Sequence, residues 1–182
     1  MTWMSGTTWP YMLELASEIS RLSLLRSTNR VIELEPYHKP SDLARTNIRV
    51  NGFEDRVKLL NVALATSNGY THAPGKEIRE YALFRPVSRG KSIKTIAPRS
   101  IIEGYNIVNG VLKMNCEGCK YQVFNHTDGD TLKVFKQVVI EYHDGARPIA
   151  GLLKDLRYDV IAKPIRSTSI LLEKQGYTAA KL

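Results

Sequence analysis

The stretch from Val111 to Phe124, reading Val-Leu-Lys-Met-Asn-Cys-Glu-Gly-Cys-Lys-Tyr-Gln-Val-Phe, constrains this chain more than any other. Its first half is a short apolar run that predicts a buried strand. Its second half opens a helix, with Tyr121 and Phe124 on one face. Asn115, Glu117 and Gly118 fall between the two. Polar residues at the carboxyl end of a strand, where a helix begins, stand where open α/β sheets bind ligands. Further on, Val138-Val139-Ile140-Glu141-Tyr142-His143 repeats the design. Neighbouring strands would bring Asn115, Glu117, Glu141 and His143 to one rim.

Elsewhere, apolar segments of strand length alternate with helical patterns. Met12, Leu13, Ala16, Ile19 and Leu22 recur at helical spacing and predict an amphipathic helix from Pro10 to about Arg26. Arg30 to Glu35 reads as a strand stopped by Pro36. Ser41 or Asp42 is placed to cap a helix running to Val50, and Asn51-Gly52 to end it. Val57 to Val62 reads as a strand. Residues 67–95 are broken by Gly69, Pro74, Gly75, Pro86 and Gly90, which predicts an irregular hairpin or flap. A short helix at Pro98 to Gly104 precedes the organising stretch. A helix at Pro148 to Leu156 follows it, and Tyr158 to Ala162 with Ser169 to Leu172 would form a closing antiparallel hairpin. Alternation of this kind predicts an α/β fold, a mostly parallel sheet with helices on both faces.

At 182 residues the chain is read as one domain with a sizeable core. No apolar run is long enough to span a bilayer and no leader pattern opens the chain, so the expectation is no membrane partner and a cytoplasmic location. The net charge of +8 admits an anionic partner, with Arg79 to Arg99 locally basic. A solvated basic surface is the preferred reading, because no aromatic RNA-binding signature accompanies it. The two cysteines, Cys116 and Cys119, form a C-x-x-C. Zinc needs two further ligands that no second pair supplies, so no metal is expected. Strand, C-x-x-C, helix is also the thioredoxin arrangement; the preferred reading is two reduced, half-buried thiols.

Glu35 closes an apolar strand, where a carboxylate accepts hydrogen bonds from a nucleotide ribose in dinucleotide-binding sheets. Asn47 and Asn51 share a helix face beyond it. Here the order of motifs resembles a known family. Ile32-Glu33-Leu34-Glu35-Pro36, then Leu43 to Gly52, then Val57 to Leu64 look like the second and third strands of a class I S-adenosylmethionine-dependent methyltransferase, which is Rossmann-like. Lys113-Met114-Asn115-Cys116-Glu117-Gly118 looks like the K-x-D-x-E-G motif of the FkbM family, and Glu141-Tyr142-His143 like its closing E-x-H.

The resemblance implies S-adenosylmethionine as cofactor. Glu35 and Pro36 would stand at its ribose, Asn61, Val62 and Ala63 at its adenine, and Asn115 and Gly6 elsewhere in the cofactor site. Glu117, Glu141 and His143 would be catalytic, with His143 or Glu117 as base for O-methylation of a small-molecule or sugar hydroxyl. Two departures from the family stand out. The family's aspartate is Asn115, which cannot take a proton as a base does. The first strand and its glycine-rich loop look absent or vestigial, with only Thr2-Trp3-Met4 and Gly6 ahead of the expected helix. A tRNA or RNA methyltransferase is the alternative, although Asn115-Cys116-Glu117-Gly118 is not the N-P-P-Y-like motif of such enzymes. A third reading is a non-catalytic interaction subunit, in which a sheet missing its first strand exposes an edge to a partner chain or a second copy.

Overall fold

Four aligned strands set the geometry of everything else. The computed structural model describes residues 12–15, 30–72, 92–116, 119–142, 147–166 and 173–181. Strand β1 (Met12–Leu15) lies between β2 (Val31–Leu34) and β7 (Gly110–Met114), parallel to both. Strand β3 (Val57–Leu60) extends the sheet parallel to β2, and β8 (Phe135–Tyr142) extends it parallel to β7. On the far side β10 (Glu173–Lys181) runs antiparallel between β8 and β9 (Tyr158–Arg166). The full order is β3-β2-β1-β7-β8-β10-β9. This is the doubly wound order with its last strand inserted antiparallel, and the expected α/β, Rossmann-like architecture is the one observed.

The register fixes which residues share a border. Leu34, Leu15, Met114 and Ile140 are paired in one line across β2, β1, β7 and β8. One residue earlier, Glu14 pairs with both Glu33 and Lys113, so ionisable residues sit in line across the middle of the sheet. Every residue of β2 is buried, as are four of the five in β7. Successive strand residues face opposite sides, so burial of both sets means that the sheet is covered on both faces. That is why Val31-Ile32 and Val111-Leu112 read as continuous apolar runs rather than as alternation.

Helix α1 (His38–Val50) packs on β3, and α5 (Arg147–Asp155) on β9. Helices α2 (Pro98–Gly104), α3 (Cys119–His126) and α4 (Gly129–Lys133) lie between. The core gathers Leu34, Ile101, Met114, Phe135, Ile140 and Leu153, each at most 1% exposed. Phe124 on α3 joins them, while Tyr121 is half-buried against the same cluster. A second sheet of order β4-β6-β5 joins β4 (Ala63–Leu64), β5 (Gly69–His72) and β6 (Ser92–Ile96). In it β5 and β6 pair antiparallel, and residues 73–91, where the irregular hairpin or flap was expected, lie outside the described set.

Two expectations give way. Met12–Leu15 is the central strand, not part of a helix, so the first strand is neither absent nor vestigial. A four-residue apolar run fits either period, and here pairing on both sides decides. Helix α1 begins at His38 with Tyr37 as N-cap and no side-chain cap bond, which leaves Ser41 buried inside the helix rather than capping it. Pro40 lies in the first turn, where its missing N–H costs no hydrogen bond. The closing antiparallel pair is β9 with β10, and the expected strand Ser169 to Leu172 lies wholly outside the described residues. At the other end of α1 the reading holds. Asn51 Nδ2 donates to the Asn47 carbonyl at 2.8 Å, and Gly52 turns the chain at φ +67.

Candidate functional site

A doubly wound sheet binds ligands outside the carboxyl ends of its strands, where the strand order reverses. Here the reversal lies between β1 and β7. The residues just beyond the aligned line Leu34, Met114 and Ile140 are Glu35, Asn115 and Glu141. All three strands are parallel, so these residues occupy one border of the sheet. With roughly 4.8 Å between neighbouring strands, Glu35 and Asn115 stand about 10 Å apart along it, and Asn115 and Glu141 about 5 Å. Of the four residues expected at one rim, Asn115 and Glu141 share this border, and Glu117 and His143 lie outside the described residues.

Glu35 is the most tightly held of the border residues. It is 6% exposed. Its backbone N–H donates to the Leu60 carbonyl at 3.0 Å. Its carbonyl accepts from Asn61 Nδ2 at 2.8 Å. Its Oε1 accepts the backbone N–H of Tyr37 at 3.0 Å. Backbone and side chain are therefore both fixed, which orients the carboxylate before any ligand arrives. The Tyr37 amide takes one of the carboxylate's acceptor positions.

Tyr37 was not singled out from the sequence. Its phenol is held above the usual pKa, first by burial and then by the charge of Glu35, so it stays protonated and uncharged at neutral pH. The signal was present: an aromatic residue two positions after a strand-end carboxylate.

The other expected residues divide into two groups. Pro36 is half-buried beside Glu35, and Asn61 is half-buried in the link from β3 to β4. Val62 is 9% exposed and packs in the main core, and Ala63 is 2% exposed in β4, paired with Thr95 of β6. Asn115 and Glu141 are half-buried. Gly6, Glu117 and His143 lie outside the described residues.

Cys116 and Cys119 are joined by a disulfide, which corrects the reading of two reduced thiols. Cys119 opens α3 and Cys116 precedes it, with Cα atoms 5.6 Å apart, within disulfide reach. Among the described residues no group of three or more His, Cys, Asp or Glu is arranged to hold a metal ion.

Strand order and rim together define a Rossmann-like architecture, and solved structures share that fold. The chain superposes on the methyltransferase FkbM from Methylobacillus flagellatus KT with TM-score 0.67 and 12% identity, over 95% of this chain and 43% of that one. Streptococcus pneumoniae Sp1610 in complex with S-adenosyl-L-methionine, assigned as a tRNA (m1A22) methyltransferase, matches with TM-score 0.61 and 9% identity, over 96% and 67%. TrmK from M. capricolum with S-adenosyl-homocysteine matches with TM-score 0.58 and 8% identity, over 96% and 63%. No family model and no curated protein matches the sequence.

Proposed function

We propose that this chain is an S-adenosylmethionine-dependent methyltransferase domain, with the donor seated at the border formed by Glu35, Asn115 and Glu141. The observation that carries the reading is the fixed Glu35 carboxylate beside the strand-order reversal. A carboxylate there accepts both ribose hydroxyls of an adenosine. Pro36, Asn61, Val62 and Ala63 would stand at the nucleoside, with Asn61 acting by holding Glu35. Asn115 would offer amide hydrogen bonds without titrating. When bound, the donor supplies a methyl group on a sulfonium centre. The protein's part is to align an acceptor oxygen with that carbon, exclude water, and remove the acceptor's proton. Glu141 lies on the same border, and the family resemblance supplies Glu117 and His143 as candidate bases.

For the acceptor we favour a hydroxyl of a small molecule or sugar, in keeping with the FkbM-type K-x-N-x-E-G stretch. A tRNA or RNA acceptor is the second reading. The net charge of +8 and the likeness to Sp1610 and TrmK favour it, as does a groove of about 430 Å³ lined by Arg45, Arg49 and Lys58. That groove lies along α1 and β3, away from the Asn115 rim. The reading as a non-catalytic subunit drew on a gap in the sheet, and β1 fills that gap. Among the described residues no helix is long and apolar enough to cross a membrane.

Transfer of a labelled methyl group from S-adenosylmethionine to pooled tRNA, and separately to polyhydroxylated small molecules, tests the assignment. Label in the small-molecule fraction alone supports the favoured acceptor. Label in tRNA alone replaces it with the second reading. Label in neither fraction counts against transferase activity in this chain.

A further inference from the structure

Proposed methyl transfer makes no use of the disulfide at the start of α3. Cys116 is half-buried and Cys119 is 6% exposed, and together they close a four-residue ring containing Glu117 and Gly118. Cys119 is the first residue of α3, where unpaired backbone N–H groups and the helix dipole stabilise a thiolate. The pair is thus asymmetric: Cys116 is the more exposed residue, although it packs against the core, and Cys119 is buried at the helix start, where the dipole favours its leaving as an anion. Exchange at a disulfide needs both properties.

We propose that Cys116–Cys119 is a thiol–disulfide exchange site whose reaction partner is a dithiol, attacked at the Cys116 sulfur. The incoming thiolate bonds to Cys116 Sγ, the Cys116–Cys119 bond breaks, and Cys119 leaves as a thiolate. The partner's second thiol, as thiolate, then attacks the partner's first sulfur in the mixed disulfide, closing the partner's disulfide and releasing Cys116 as a thiolate. Two electrons pass from the dithiol to the protein, the partner becomes a disulfide, and the two protein thiolates take up the protons. A small-molecule disulfide reverses the change. The cycle requires neither methyl donor nor acceptor, so its test stands apart from the proposed transfer.

The chain has only these two cysteines, which makes the readout unambiguous. Protein oxidised with glutathione disulfide is treated natively with dithiothreitol and tagged with a maleimide polymer. The expected result is no tag before reduction and two tags after it, with an unchanged circular dichroism spectrum. Failure to tag until denaturant is added would overturn the proposal. Two further readouts test the asymmetry. C119S is expected to react with dithionitrobenzoate at least tenfold faster than C116S, and equal or reversed rates would overturn the assignment. Peptide mapping of the wild-type mixed disulfide with a monothiol needs no variant to fold. Its adduct is expected on Cys116, and an adduct mainly on Cys119 would contradict the mechanism.

Discussion

Asn61 reaches back from the loop after β3 to Glu35 at the end of β2, its Nδ2 donating to the Glu35 carbonyl at 2.8 Å. The bond spans 26 positions in sequence and ties two strand ends together at the border where a ligand would sit. It acts on the carboxylate through the backbone, since the Glu35 side chain is itself anchored to the Tyr37 amide. Under the proposed function, Asn61 would act as a positioning residue.

Asn61→Ala should leave a partly buried carbonyl without this donor. A lost hydrogen bond of this kind costs about 1 kcal/mol. The expected outcome is a lower urea midpoint at an unchanged slope, with donor affinity reduced several-fold. Stability lost with affinity unchanged would show that the bond serves the fold alone.

Tyr158 gives a second test, in the core. Its hydroxyl is shared between the backbone carbonyls of Leu132 and Phe135, joining β9 to the α4–β8 turn. Burial pushes its pKa up to about 12 from an ordinary 10.0. A raised pKa means that the protonated form is favoured by folding. Its stabilisation is complete below pH 10 and is lost as pH rises towards 12. Tyr158→Phe should cost about 1 kcal/mol at neutral pH and flatten that alkaline loss, as read from thermal melts at pH 8 to 11.

The acid limb should report Asp128. This residue caps α4, accepting from the Thr131 backbone N–H at 2.9 Å and the Thr131 hydroxyl at 2.7 Å, and it meets Arg99 Nη2 at 2.9 Å. These bonds hold its carboxyl far below the ordinary value of 3.8, the Thr131 hydroxyl contributing most. A depressed pKa stabilises the fold above the unfolded value. That contribution fades as pH falls below about 4. Asp128→Asn should be less stable at pH 7 and should lose less on acidification than the wild type. The pair with Arg99 is exposed, so added salt should weaken it.

Removing the disulfide by the double change Cys116→Ser and Cys119→Ser should lower stability only modestly. Closing a ring of four residues restricts the unfolded chain by about 2 kcal/mol in the loop-entropy account. A loss well above that would mean that the bond also braces the native rim. Denaturant melts of the oxidised wild type, the reduced wild type and the double variant separate the two contributions.

Much of this architecture was legible because parallel strands buried on both faces leave unmistakable apolar runs. Val31-Ile32 and Val111-Leu112 are such runs, and the strands they open are each followed by a polar residue, Glu35 and Asn115, that the register then brings to one border. Asn51 and Gly52 marked a helix end because their local chemistry suffices for it. Met12–Leu15 was misread because four residues cannot distinguish a strand from a helix until their neighbours are known. Ser41 looked like a cap by residue type, yet the helix had already begun at His38. The disulfide depends on oxidation and on a Cα separation, neither of which a C-x-x-C spacing states. Tyr37 escaped notice because its hydrogen bond to Glu35 runs through its backbone amide rather than its side chain.

Calorimetric titration of S-adenosyl-homocysteine into the wild type and into Glu35→Gln tests the central claim most directly. The glutamine keeps a carbonyl oxygen for the Tyr37 amide but loses the charge offered to the ribose. Charged hydrogen bonds contribute about 1.5–3 kcal/mol, so affinity should fall by about tenfold or more while the melting temperature of the unliganded protein stays close to that of the wild type. Equal affinity in the two proteins, or no binding by the wild type at millimolar ligand, would contradict the account.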